Sequence, residues 1–299
     1  AYPEGGAGDT AGKVYGADAA NHVTRKITWD GAVSTPAGEA GAIGSNDGTG
    51  RAARFNYPYS VAVDRDDNVY VADTFNSAIR KITPSGKVST FAGVAGQVGA
   101  EDGVGSSARF NYPPSLALDR TGALYVADMG NCTIRKITAE GEVSTVAGSA
   151  GEAGGSDGTR AAARFNYPRG VAVGSSGSVY VADTFNQCIR KITPAGTVTT
   201  LVSAGNGNGQ GSQVTPFQSP ESVAVDDKGN LYVSDNSDDT IWMGAAVDSF
   251  SMANEAVASP APHPKEEINL HTVIFLISKT STTDLSAASH ILPMRTPPR

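Results

Sequence analysis

Charge is scarce in this chain, and positive charge is the scarcer sign. Lys and Arg number 23 against 30 Asp and Glu, a formal net charge of −7. The sequence pI of about 5.1 disfavours a nucleic-acid partner, which needs a basic stripe to neutralise phosphates. No apolar run reaches the roughly 18 residues that a bilayer-spanning helix requires, so no membrane span is expected. Histidine is limited to His22, His263, His271 and His290, three of them near the C-terminal end. Neither C-x-x-C nor H-E-x-x-H occurs, so candidate catalytic groups reduce to scattered Asp, Glu and Tyr. Only two cysteines are present, Cys132 and Cys188, too few to fix the redox compartment.

Repetition is what the chain has in abundance. The string RKIT begins at residues 25, 80, 135 and 190, always 55 apart. Residues 54–93, 109–148 and 164–201 match at most positions, and weaker copies occupy the first 50 residues and the stretch from Pro220 to Ile241. A fixed period of this size marks an array of one supersecondary unit. Within each unit SVAVD and VYVAD alternate like half-buried strands around a turn such as Asp66-Asp67-Asn68. IRKIT forms a third strand, and a Pro-x-Gly turn leads to a fourth, VST. Four short antiparallel strands per unit at this period close radially, which predicts an all-β propeller of four-stranded blades. Blades are expected to start near residues 3, 58, 113, 168 and 220.

The patterns P-x-x-[VL]-[AV]-[VL]-D and [VL]-Y-V-A-D-x-x-N-x-x-I-R-K-I-T, with a Gly-rich return, resemble the NHL-repeat β-propellers. The likeness covers residues 1–250 and is closest to the long-loop, roughly 55-residue repeats of secreted microbial and algal proteins. Since that family is mostly six-bladed, the resemblance implies five recognisable blades and a divergent sixth drawn from residues 251–299. That tail holds a breaker segment, Pro260–Pro264, and the most apolar stretch, Ile268–Ser278. It is read either as a degenerate sixth blade or as a strand that pairs with an exposed edge.

Strand direction places the loop after VYVAD and the long return loop on one face, which makes that face the expected binding face. Each return loop carries an Asp-Gly step and then an Arg-Phe pair: Arg54-Phe55, Arg109-Phe110 and Arg164-Phe165. These pairs could ring the axial mouth as ligand contacts, or plug the space between blades. Asp73, Asn76 and Arg80 recur as Asp128, Asn131 and Arg135 and as Asp183, Asn186 and Arg190. They are expected to be the structural signature of the blade, closing loops and pairing charges. A carboxylate ring could instead hold Ca²⁺, but the spacing of a calcium loop is missing; no other metal or cofactor is expected. Cys132 and Cys188, one position apart in repeat frame, are either two isolated thiols or one inter-blade disulfide. Asn131-Cys132-Thr133 is the only N-glycosylation sequon. The functional expectation is a non-catalytic binding or assembly module, extracellular or at the cell surface, taking a protein or carbohydrate partner or copies of itself. A propeller lyase or lactonase is the alternative, and an RNA-binding propeller the second alternative.

Overall fold

A computed structural model describes residues 3–9, 11–203, 217–237 and 239–245. Five antiparallel sheets, one per repeat, form five blades. Blade two shows how sequence dictates the unit. Its strands are Pro58–Val63, Val69–Asp73, Ala78–Ile82 and Lys87–Gly93. The first turn is tied by the Asp64 carboxylate, which accepts the backbone N–H groups of Asp66 and Asn68 at 2.9 and 2.8 Å. Such side-chain acceptance by Asp is what sets a tight turn without a helix. A bulge between Ile79 and Arg80 shifts the register between the third and fourth strands.

The expected starts near 3, 58, 168 and 220 coincide with strands beginning at Pro3, Pro58, Pro168 and Pro220, while in blade three the first strand begins at Ser115, two residues after Pro113. The expectation of four strands per blade needs correction. Blade one has four, blades two, three and four have five, and blade five has three among the described residues. The additional strands are two residues long: Gly48–Thr49, Gly103–Val104 and Gly158–Thr159. Each is donated by the loop that leads into its blade and pairs with the fourth strand, as in Gly48↔Val88 and Thr49↔Lys87. The Asp-Gly steps therefore open edge strands. The fourth strand would otherwise expose a row of unpaired backbone groups.

The first strands of the blades line a common axial channel, bordered by residues such as Val63, Leu118, Val173 and Val225. The core lies between blades. Ala62, Tyr70 and Ile79 of blade two meet Leu116, Leu124, Val126 and Ile137 of blade three, with Phe110 inserted from the return loop. Ile137 is fully buried, so Ile137→Ala should cost about 2–5 kcal/mol; chemical denaturation of the variant checks it. The tail 251–299, including Ile268–Ser278 and the expected sixth blade, lies outside the described residues.

Candidate functional site

The residues that repeat are buried and bonded to one another, with only the Nε of Arg80, Arg135 and Arg190 left without a partner among them. In blade three the Arg135 guanidinium donates from Nη1 to Asp128 Oδ2 at 2.8 Å and to the Arg109 carbonyl at 2.9 Å. From Nη2 it donates to Asp102 Oδ1 at 2.7 Å and the Glu101 carbonyl at 2.9 Å. Asp128 also accepts the Asn111 backbone N–H and the Asn131 amide, each at 2.7 Å. Blades two and four repeat this cluster around Asp73, Asn76 and Arg80 and around Asp183, Asn186 and Arg190. The three guanidiniums lie over the Phe55, Phe110 and Phe165 rings at 5.2–5.4 Å, a cation–π arrangement. Burial pushes the three Asp carboxyls up to about 6, while the neighbouring Arg pulls the other way. They remain ionised at neutral pH and hold return loop, third strand and second strand together.

This arrangement favours one alternative for the Arg-Phe pairs and for the cysteines, and it bears on the sequon. Phe55, Phe110 and Phe165 are fully buried and cannot meet a ligand. Their partners are engaged in the return loops: Arg54 reaches Glu39 at 2.6 Å and the Ala53 carbonyl, Arg109 the carbonyls of Ser106 and Ala108, and Arg164 Glu152 and the carbonyl of Ala163. The Arg-Phe pairs are packing and latching elements because the same insertion is needed at each interface. Cys132 and Cys188 are both free and buried, so the inter-blade disulfide is absent. Burial, the nearby Asp183 carboxylate and a hydrogen bond to it push the Cys188 thiol up. The Asn131 amide is buried and spent on Asp128 and the Gly99 carbonyl, so the folded sequon offers nothing to a glycan. Among the described residues no group of three or more His, Cys, Asp or Glu could hold a metal ion. Gly154-Gly155-Ser156-Asp157-Gly158 has the G-x-S-x-G spacing, but it leads into an edge strand and lacks the strand–turn–helix context of a nucleophile elbow.

What remains is the position after each leading proline. There the repeats differ: Glu4, Tyr59, Pro114, Arg169 and Glu221. All five are half-buried and line one cleft at the axial end of the long-loop face, with a volume of about 840 Å³ out to its open rim. The next position adds Ser60, Ser115 and Ser222, and the second-strand ends add Thr74 and Met129. Arg169 pairs with Glu221, and its Nε is buried without a partner. Aromatic side chains flank the cleft. Phe75, 45% exposed, stacks on Tyr59 at 6.3 Å and meets Tyr57 and Tyr112 at 4.8 and 5.6 Å. Tyr167 stacks on Phe185 at 4.8 Å. Sequence reasoning missed this site. The only signal was an unrepeated letter inside the repeated P-x-x frame.

A family model described as NHL repeat matches residues 165–192, the first two strands, the Asp183–Asn186–Arg190 cluster and the third strand of blade four. The chain is an NHL-repeat protein. Its NHL array is similar to a protein of Arabidopsis thaliana named SUPPRESSOR OF QUENCHING 1, chloroplastic, 38% identical over 96 residues, 32% of this chain and 9% of that protein. It is also similar to mouse teneurin-3, 29% identical over 224 residues, 64% of this chain and 8% of that protein. The chain thus spans less than a tenth of either relative. Among solved structures, the catalytically inactive virginiamycin B lyase of Staphylococcus aureus with quinupristin superposes with a TM-score of 0.52 and 14% identity, covering 84% of this chain and 83% of that one. A chain of the nidogen/laminin complex gives 0.58 and 16% identity, covering 82% and 76%. At these identities the shared feature is the propeller fold of the NHL array.

Proposed function

We propose that this NHL propeller is a non-catalytic binding module acting at an extracellular surface, with its ligand seated in the axial cleft of the long-loop face. The observation that carries the reading is the ring Glu4, Tyr59, Pro114, Arg169 and Glu221, four different residue types over five copies of one repeat position around one cleft. Packing demands sameness from blade to blade; a ligand of lower symmetry demands difference. The paired Arg169 and Glu221, the serine hydroxyls and the flanking Phe75 and Tyr59 supply hydrogen-bonding and stacking surface. That set suits a carbohydrate or a polar protein loop. The extracellular placement is supported by the likeness to long-loop NHL repeats of secreted proteins.

The lyase or lactonase reading lacks support from side chains. A histidine-to-alanine variant of the lyase is catalytically inactive. Here His22, the one histidine among the described residues, sits between blades one and two. It takes the Tyr57 backbone N–H on Nδ1 at 3.1 Å and lies edge-on to the Tyr57 ring. The RNA-binding reading is opposed by the net charge of −7. Arrays of immobilised oligosaccharides and matrix proteins, probed with labelled chain, test the proposal. Arg169→Ala should weaken any binding at least tenfold while leaving the melting temperature within about 2 °C. Wild-type turnover of a lactone or a cyclic peptide antibiotic, or binding indifferent to Arg169, would sink it.

A further inference from the structure

Two pads of aromatic side chains stand open on the long-loop face beside the axial cleft. The first joins blades two and three: Phe75 meets Tyr57 at 4.8 Å within its own blade and Tyr112 at 5.6 Å across the interface. The second lies in blade four, where Phe185 stacks on Tyr167 at 4.8 Å. Phe185 is 57% exposed, and Phe75, Tyr112 and Tyr167 are 40–45% exposed. Packing does not account for these rings. Tyr57, Tyr112 and Tyr167 hold φ of +50 to +51°, a left-handed conformation that is rare and strained for a bulky side chain. For Tyr112 and Tyr167 the strain brings no burial in return. Strained residues and exposed apolar patches both mark interaction sites.

The pads are also held still. Phe75 and Phe185 sit in the short turns Thr74–Asn76 and Thr184–Asn186, and their backbone N–H groups donate to the Asn56 and Asn166 carbonyls, each at 3.1 Å. Blade three has Gly130 at the matching position. A Cβ there would stand 2.5 Å from the Asn111 amide carbon, so the turn has no room for a ring and leaves Tyr112 uncovered between the two phenylalanines. A surface fixed in this way gives up little freedom when it binds.

We propose that the two pads are stacking subsites for pyranose rings, and that pads and cleft together take a neutral oligosaccharide. A pyranose has a face of C–H groups, whose slightly positive hydrogens suit the negative face of an aromatic ring. Its hydroxyl rim needs polar partners, and the cleft supplies them in Arg169, Glu221 and Ser234. The two surfaces are continuous: Phe75 belongs to the first pad and lines the cleft, and Tyr167 of the second pad lies two residues before Arg169. Charge selects among sugars. The cleft lining carries two carboxylates, Glu4 and Glu221, against one guanidinium, Arg169, an excess of one negative charge. Like charge disfavours uronic acids and sulfated chains. This assignment rests on the binding reading of the cleft and adds subsites outside it.

Titration calorimetry of the full chain with neutral glucose, galactose, mannose and N-acetylglucosamine oligomers, from one to six units long, tests the assignment. Affinity for at least one series should rise with length. Phe185→Leu and Tyr112→Ala should each weaken the longest bound oligomer about five- to tenfold, the scale of one lost ring stack. Both positions are exposed, so the melting temperature should stay within about 2 °C of wild type; where one variant does not fold, the other decides. Phe185→Tyr keeps the ring and should bind as wild type does. Binding that survives Phe185→Leu and Tyr112→Ala but falls with Arg169→Ala overturns the pads and leaves the binding reading of the cleft standing. Binding only of acidic oligosaccharides or of lysine-rich peptides overturns the choice of a neutral sugar, as does failure of every neutral oligomer to bind at millimolar concentration.

Discussion

Arg135→Met should destabilise the protein by about 3–5 kcal/mol, the scale for stranding one member of a buried ion pair. Arg135 and Asp128 are both fully buried, and the guanidinium also holds two return-loop carbonyls and Asp102. Its removal leaves Asp128 with two neutral donors and no counter-charge, and frees the loop that covers the blade edge. The cost should depend on pH in a defined direction. Burial already raises the Asp128 carboxyl to about 6 with Arg135 present, and losing the cation raises it further. The folded variant then holds a proton that the unfolded chain has released. Its stability accordingly falls as pH rises through that folded pKa and recovers as pH falls toward 4. Urea denaturation of wild type and variant at pH 5 and pH 8 reads both effects. A loss under about 1 kcal/mol, or one larger at pH 5, contradicts the account.

Phe110→Ala should cost a similar amount, about 3–5 kcal/mol. The ring is fully buried among side chains of blades two and three and under the Arg135 guanidinium at 5.3 Å. It also closes on Gly93, whose φ is +89°, where a Cβ would stand 3.1 Å from the ring. Truncation therefore opens a cavity where neither the rigid return loop nor the sheet can collapse inward. Phe110→Leu, which fills most of that space, should lose less than half as much. Equal melting curves for wild type and Phe110→Ala would show that the blades do not depend on the plug.

How much of this was legible in the sequence depends on length scale. Strands of five or six residues, such as Val69–Asp73, carry a period-two pattern that repetition amplifies, and their places were readable. The edge strand Gly103–Val104 carries no pattern at all, because two residues cannot show one. The preceding Asp102 shows in sequence only as half of an Asp-Gly step, whereas its contacts with Arg135 and Thr145 make it a carboxylate pinning strands together. Cys132 and Cys188 looked close because they are one position apart in frame. That one position separates a left-handed residue, φ +56° at Cys132, from the first residue of a strand at Cys188. Asn131 presented two signals at once, sequon and blade signature, and the buried signature contacts occupy its amide. The axial cleft was hidden for the opposite reason: repetition draws the eye to sameness, and Tyr59, Arg169 and Glu221 are where the repeats disagree.

The two-residue strand that covers a blade's outer edge always comes from chain already passed before that blade begins. Gly103–Val104 precedes Ser115–Leu118, and Gly158–Thr159 precedes Pro168–Val173. On a ribosome the cap therefore emerges first and waits for the sheet it will close. Each of blades two, three and four can complete its own edge without any residue still to be translated. The array is thereby polarised from its N-terminal end toward its C-terminal end, and a nascent chain stalled after Gly148 or Ser203 would expose no raw outer edge on its last finished blade.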